Sequence, residues 1–407
     1  MKRRVSGQMR ARVGRFNLKF GIPLSSYPFL LSLIQISPMT SNGHTDDPYL
    51  NKLLVEIKNG TQVIDASRAS FLDSQLETLM HALVETHSAK ELNLSDHFDC
   101  YRDEFPDDAG DILVETVSKY LARTGIEKLV LTELELTDRG VAALSKVLKD
   151  SKIKVLNLGE NEITGKGVKF LADGILGSSV EKLLLYENKI GNEGAIHLAR
   201  SLSSGACNLK FLHLSNCGLG SEGTEAIAKS LALSTLENIS LLSNPIGSIG
   251  SLALAHGLPG SILKSLSTAL TDEGLAAIAE NLLASKLESL QTTMRFSDAS
   301  ILAMAKAIPS SQLKKFHFIA THISDNTGVI LAEAVKSSSL QSLSLTHAPL
   351  MCDRAPNAFL AAARESSSLI EFYYPFKSDG WKEIKDSIDS VIQERRLAQG
   401  LEALEFT

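Results

Sequence analysis

The sequence has few of the residues on which disulfide-stapled folds and metal sites depend. Only four cysteines occur in 407 residues, and none is spaced as CxxC or CxxxxC. Cysteines this sparse exclude a disulfide framework or a zinc site and suit a reducing, intracellular compartment. The sequence also lacks HExxH and Walker motifs and paired catalytic carboxylates. We therefore predict no enzymatic activity, no cofactor and no metal ion.

Aromatic residues and long apolar runs are scarce as well. Aromatics make up 6% of the chain, with a single tryptophan, whereas apolar residues make up 44%. This balance is typical of a regular core filled by Leu, Ile and Ala. No apolar run reaches the roughly 18 residues that a membrane span needs. We predict no membrane span.

Acidic residues are missing from the first 45 positions, which carry seven Lys or Arg. This segment is compatible with a secretory signal, a transit-like presequence, a disordered tail or sequence upstream of a start at Met39. The other residues carry 34 basic and all 47 acidic side chains, a net charge of −13. Nucleic acid and anionic membranes are excluded as partners of so acidic a body.

One sequence motif, L-x-x-L-x-L-x-x-N/C-x-L-x-x-x-G, recurs along the rest of the chain. Most copies are 24 to 29 residues apart, a spacing typical of repeats with one strand and one helix. A single copy cannot bury its apolar face, so neighbours must stack into a solenoid. The first positions of the copies lie near residues 61, 89, 126, 153, 180, 209, 236, 263, 287, 313, 340 and 369.

The copy that begins at residue 180 predicts the geometry of a unit. Leu183 and Leu185 alternate with outward residues, which indicates a strand. Asn188 follows, where its amide can satisfy backbone groups of the neighbouring turn. Gly194 then precedes a helix predicted over 195–202. Stacked units should form a horseshoe with a parallel sheet on its concave face and helices on its convex face, an α/β solenoid.

The repeats occupy 61–376 in this interpretation, between two caps. We predict an N-terminal capping helix within 46–60 and a C-terminal cap helix and tail over 377–407. The chain is expected to be a monomer.

The second position of the repeat alternates in charge along the stack. Adjacent strands lie about 4.8 Å apart, so opposite charges should pair in a self-neutralising ladder that stabilises the register. Its predicted members are Glu127, Lys154, Glu181, Lys210, Glu237, Lys264, Glu288 and Lys314.

The eighth position instead stacks like charges. Glu133, Glu160 and Glu187, here called the acidic ridge, form either a solvated edge or a binding site for a basic partner. Tyr186, Phe211 and His213 project from the same strands, and aromatic side chains dominate binding hot spots. We predict that these six residues bind a partner protein.

Three features resemble catalytic or nucleotide-binding motifs. Residues 218–223 spell GxGxxG, but the homologous turns lack that pattern. Cys217 fills the Asn slot of its repeat and is predicted to be a buried thiol, whereas Cys100 has a better claim to exposure.

The repeat, with its Asn/Cys alternation and its glycine, resembles the ribonuclease-inhibitor-like leucine-rich-repeat family. The resemblance covers about residues 61–376. It implies a horseshoe that binds proteins in the manner of enzyme inhibitors, activators of small GTPases, sensing halves of immune receptors, or effectors of intracellular bacteria. Our leading hypothesis is a non-enzymatic scaffold or inhibitor, cytoplasmic or secreted by a bacterium into a host cell. The alternatives are a GTPase-activating or other enzyme-regulating protein, or a bacterial effector acting on a host protein. The resemblance implies a dedicated arginine or asparagine for a GTPase-activating member, and Arg139 is the nearest candidate.

Overall fold

The computed structural model describes residues 47–67, 69, 71, 73–96, 106, 108–320, 323–346, 354–374 and 382–402. All of these residues belong to one compact unit. The basic segment over 1–45 and Cys100 lie outside the described residues, so the predictions made for them stay predictions.

Within the described residues, twelve strands form one parallel sheet in which each strand pairs with its sequence neighbours. Every strand begins two residues after the first position of a predicted copy, which confirms the α/β leucine-rich-repeat solenoid. The strands are β1 Val63–Asp65, β2 Glu91–Asn93, β3 Lys128–Val130, β4 Val155–Asn157, β5 Lys182–Leu184, β6 Phe211–His213, β7 Asn238–Leu241, β8 Ser265–Thr268, β9 Ser289–Phe296, β10 Lys315–Ala320, β11 Ser342–Thr346 and β12 Glu371–Tyr373.

Helices alternate with the strands, and consecutive helices pack against one another. The prediction for the unit at 180 was wrong by four residues at the start of its helix, because Gly191 adopts a φ of 60° that glycine reaches at no steric cost. In the described part of the chain the helices are α1 Pro48–Lys58, α2 Asp73–Thr86, α3 Ala109–Leu121, α4 Asp138–Ser145, α5 Gly165–Gly174, α6 Gly191–Leu202, α7 Ser221–Ser230, α8 Gly247–Gly257, α9 Asp272–Asn281, α10 Asp298–Ala307, α11 Asp325–Lys336, α12 Arg354–Glu365 and α13 Lys382–Ala398.

The core lies between the sheet and the helices. Leu183 and Leu185 point into it and are fully buried, as predicted, and the same two register positions are buried in all twelve units. At the C-terminal end Phe316, Phe318 and Phe372 take the place of leucine in these positions. The opposite face of the sheet, whose side chains are half-buried or exposed, is here called the open face.

A buried asparagine joins successive turns after the strands. The amide of Asn161 accepts N–H groups of Leu134 and Leu136 at 3.0 and 3.1 Å and donates to Leu131 O at 2.8 Å. Asn188 and Asn244 make equivalent bonds to the units before them. The prediction that this amide satisfies the neighbouring turn is confirmed.

The helices are capped by side chains from the preceding repeat. Asp138, at the start of α4, accepts the Thr164 N–H at 2.8 Å and the Thr164 hydroxyl at 2.6 Å, at the start of α5. Asn192 accepts the N–H groups of Gly220 and Gly223 at the start of α7. Since the N–H groups at the start of a helix have no partner within it, each such contact ties two repeats together. Other side chains of this kind in the described residues are Asp111, Ser251, Asp272, Asp298 and Asp325.

The recurrent glycine leaves room for this cap. A Cβ atom on Gly167 would lie 2.3 Å from Asp138 Oδ1, and one on Gly223 would lie 2.8 Å from Asn192 Oδ1. Close packing of helix and turn was predicted for this glycine. The structure adds its cause, which is the capping side chain of the preceding repeat.

The charge ladder forms as predicted. Lys154 Nζ lies 2.7 Å from Glu127, and Lys264 Nζ lies 2.7 Å from Glu237. The Glu181–Lys210 and Glu288–Lys314 pairs repeat the contact at 3.1 and 2.8 Å. Because these lysines and glutamates pair with one another, their charges cancel along the ladder.

We expect Leu185→Ala to lower the free energy of unfolding by about 2–5 kcal/mol, because it opens a cavity in a fully buried site. Leu184→Ala is the matched control, since Leu184 is the half-exposed neighbour on the open face. Urea unfolding followed by circular dichroism measures both. Equal losses in the two variants would contradict the assignment of the two faces.

We expect Asp138→Ala to lower the free energy of unfolding by about 1–3 kcal/mol, because the N–H and the hydroxyl of Thr164, the N-cap residue of α5, lose their acceptor. Asp150→Ala is the control, since Asp150 is exposed and does not join two repeats. This substitution should change the free energy of unfolding by no more than about 0.5 kcal/mol. The same unfolding measurement compares them. An effect at position 138 no larger than the control would mean that the cap between repeats contributes nothing measurable.

Candidate partner-binding surface

The structure brings the six predicted residues together across four adjacent repeats. Phe211 and His213 lie on β6, and Tyr186 follows β5. The three glutamates lie in the turns after β3, β4 and β5 and are exposed. Because β3 to β6 are consecutive in the sheet, these side chains share one edge of the open face.

The three aromatic side chains form a half-buried group. The rings of Tyr186 and His213 are 5.0 Å apart at 34°, and the rings of Phe211 and His213 are 6.4 Å apart, edge to face. Each ring keeps part of its surface open to solvent. The group therefore presents an aromatic platform on the open face.

Tyr186 is positioned by a residue of the preceding repeat that sequence reasoning missed. A Cβ atom on Gly159 would lie 2.4 Å from two atoms of the tyrosine ring, so only glycine leaves enough space for the ring. The side chain of Asn157, in the same repeat, is near enough to the tyrosine hydroxyl to influence its pKa. The sequence did contain a signal for this contact, because Gly159 and Tyr186 occupy the same position in two consecutive repeats.

The acidic ridge lies beside this tyrosine. Burial is the main cause that raises the pKa of Tyr186, and the charges of the ridge raise it further. The hydrogen bond from Asn157 opposes this shift. A tyrosine that responds to Glu133, Glu160 and Glu187 together belongs to one electrostatic site with them.

Each ridge glutamate occupies a left-handed backbone conformation, with φ of 57°, 57° and 54° in chain order. The same turn position carries Asp96, Asn216 and Ser243 in other repeats, also with positive φ. Left-handed backbone favours Gly, Asn and Asp, and costs other residues about 1–2 kcal/mol. The backbone therefore does not explain why three consecutive repeats carry glutamate here.

The ridge differs from the neighbouring acids in its pairing. Glu162, two residues beyond Glu160, forms an ion pair with Lys189. Among the described residues, no Lys or Arg lies within ion-pair distance of Glu160 or Glu187. Their carboxylates are open to a cation from outside.

His213 adds no charge to the surface at neutral pH. Its Nε2 is hydrogen-bonded to the Ser215 hydroxyl at 2.9 Å, which contacts Ser240 Oγ at 2.9 Å. Burial lowers the pKa of His213, so the neutral ring is favoured. A neutral imidazole does not repel an approaching cation.

The motifs that resemble catalytic sites have structural roles. Cys217 is buried, and burial raises the pKa of its thiol to about 12, as expected for an inert side chain. Within residues 218–223, the N–H groups of Gly220 and Gly223 donate to Asn192 Oδ1 at 2.8 and 3.1 Å. These amides, which a phosphate would need, are therefore already bound.

Arg139 is held by carboxylates of its own chain. Its guanidinium lies 2.8 Å from Asp108, 3.0 Å from Glu115 and 3.6 Å from Asp111. The hydrogen bond with Asp108 is the main cause that raises its pKa. An arginine engaged in this way joins α3 to α4, while its side chain stays about half exposed.

Comparison with protein families gives one match. A family model described as Leucine Rich repeat matches residues 149–172 and 205–228. Those two stretches are copies of the unit that the structure repeats through its twelve strands. The chain has the leucine-rich-repeat fold. Proteins with this fold typically bind other proteins, which supports a protein-interaction scaffold in general.

Two solved structures are similar to this leucine-rich-repeat protein at low identity. One is the leucine-rich repeat-containing protein LegL7 from Legionella pneumophila, with 18% identity, a TM-score of 0.45, and coverage of 72% of this chain and 95% of that one. The other is leiomodin-1 actin-binding site 2, with 14% identity, a TM-score of 0.29, and coverage of 44% and 91%. Neither likeness carries an argument about function.

Comparison with curated proteins gives no match. In the part of the chain that is described, no helix is both long and apolar enough to cross a membrane. The same residues contain no group of three or more His, Cys, Asp or Glu placed to hold a metal ion.

We expect Cys217 and Cys207 to resist alkylation by iodoacetamide at about pH 8 in the native protein, because both thiols are buried and burial raises the pKa of each. Both should react in guanidinium chloride. Peptide mass spectrometry measures the labelled fraction at each position. Rapid native labelling of Cys217 would show that its repeat opens in solution.

Proposed function

We propose that this protein binds a basic partner protein through the open face around Tyr186, Phe211 and His213 and the adjoining acidic ridge. The observation that carries the proposal is the contact between a half-exposed aromatic group and a column of exposed glutamates. Aromatic side chains supply contact area at low entropic cost, and neighbouring charge sets the orientation and rate of association.

The rest of the surface supports this choice of site. The charge ladder consists of internal pairs, so it offers little net attraction to a partner. The ridge stacks three negative charges in adjacent repeats, and Glu160 and Glu187 have no cation beside them in the described residues. A partner with a matching positive strip would relieve this repulsion.

We expect the triple variant Glu133→Lys, Glu160→Lys and Glu187→Lys to weaken binding about tenfold or more at low salt, since each reversed pair turns attraction into repulsion. Its melting temperature should not fall, because the ridge side chains are exposed. The first measurement is affinity capture of residues 46–407 from cell lysate, with mass spectrometry of bound proteins. The affinity of a captured protein is then measured by calorimetry.

The matched control reverses three exposed acids on the helices, Glu85, Asp173 and Glu280, to Lys. It makes the same change in net charge away from the open face. A protein that binds the parent and the control, but not the ridge variant, would locate the surface. Equal affinity for all three forms would rule out the ridge. A second variant, Tyr186→Ala with Phe211→Ala, tests the aromatic group by the same measurement.

A further inference from the structure

We infer that the recognition element on this surface is the guanidinium group of a partner arginine, stacked against Tyr186 and bound by the carboxylates of Glu160 and Glu187. This inference rests on the proposed function and names the chemistry of the contact. It depends on the geometry of the platform, on the carboxylates beside it, and on the difference between arginine and lysine.

The aromatic group supplies the ring surface. The centroids of the Tyr186 and His213 rings are 5.0 Å apart and the rings are tilted by 34°, so His213 packs against the tyrosine ring while each ring keeps part of its surface open to solvent. A planar cation within about 6 Å of a tyrosine ring is attracted by the ring quadrupole. Because His213 is favoured in its neutral form, the imidazole does not oppose such a cation.

The ridge supplies the acceptors. Glu160 and Glu187 are exposed, and their backbones follow the ladder of the sheet, in which the Glu160 N–H donates to Tyr186 O at 2.8 Å. Ridge residues of adjacent repeats are therefore separated by about one strand spacing, roughly 4.8 Å. Two glutamate side chains that start from backbones at this spacing, beside an aromatic ring, can both accept hydrogen bonds from one group that has N–H donors in more than one direction.

Arginine meets these demands and lysine does not. The guanidinium is planar, presents five N–H donors in a fork, and is hydrated more weakly than an ammonium group. It can stack on a ring while its edge binds carboxylates. A lysine ammonium is a compact, strongly hydrated charge that cannot stack. The surface should therefore prefer arginine to lysine at equal charge.

Gly159 acts as a positioning residue for this contact. A Cβ atom on Gly159 would collide with the tyrosine ring at 2.4 Å, so a larger residue displaces the ring. Gly159→Ala should reduce the preference for arginine while leaving every ridge glutamate in place.

The test uses fluorescein-labelled hexamers of arginine, lysine and citrulline, with binding to the full chain followed by anisotropy. We expect arginine to bind about threefold to tenfold more tightly than lysine, and citrulline, which has no charge, not to bind. The net negative charge of the repeats attracts the arginine and lysine peptides equally, so this attraction cancels in the ratio of their dissociation constants. Tyr186→Phe should keep the preference, whereas Tyr186→Leu should abolish it.

The control is Tyr373→Leu, which removes an exposed tyrosine from the distant strand β12 and should change nothing. Spectroscopic titration of Tyr186 gives a readout that a merely structural role would not move. A bound cation beside the ring should lower the pKa of the phenol, and the shift should be absent in the Tyr186→Phe variant.

The outcomes separate this inference from the proposed function. Equal binding of arginine and lysine peptides, lost in the ridge variant but unchanged in Tyr186→Leu, would overturn the guanidinium contact and leave a basic-partner surface intact. Absence of binding by either cationic peptide would also overturn it, and the proposed function would then be judged by the captured protein and the ridge variant alone.

Discussion

Hydrogen bonding between successive repeats is the constraint on which the rest of the structure depends. Asn161, Asn188 and Asn244 bind backbone groups of the unit before them, and Asp138 and Asn192 cap the helix of the unit after them. A buried polar group left without a partner costs about 1–3 kcal/mol. No repeat can therefore satisfy its own backbone, and stability belongs to the interfaces between neighbours.

This constraint leaves the open face free to vary. Side chains at the two inward strand positions and in the Asn slot are fixed by the core, whereas outward positions hold Lys182, Phe211 and Ser265 in equivalent places of different repeats. The charge ladder uses one outward column to stabilise the stack. The aromatic platform and the acidic ridge use other columns, where the fold requires no particular residue. The proposed function thus uses positions where the demands of packing are weakest.

Much of this organisation could be predicted because it repeats. The strands, the inward leucines and the charge ladder follow from local alternation at a fixed period, so twelve copies support one another. The caps between repeats could not be predicted in this way, because donor and acceptor lie 20 to 31 residues apart and the capping residue is Asp, Asn or Ser in different units. The start of α6 was missed because it depends on the conformation of Gly191 and not on apolar spacing.

The sequence by itself determined the repeat, the order of its strands, the faces of its side chains and the charge of each column, since period and alternation are properties of the chain. Only the tertiary structure decided that the ridge glutamates lie in left-handed turns and that Gly159 makes room for Tyr186. It also decided that, among the residues described, Glu162 but not Glu160 meets a lysine. The reason is geometric. These contacts join side chains of different repeats, and their lateral spacing exists only once the repeats are stacked.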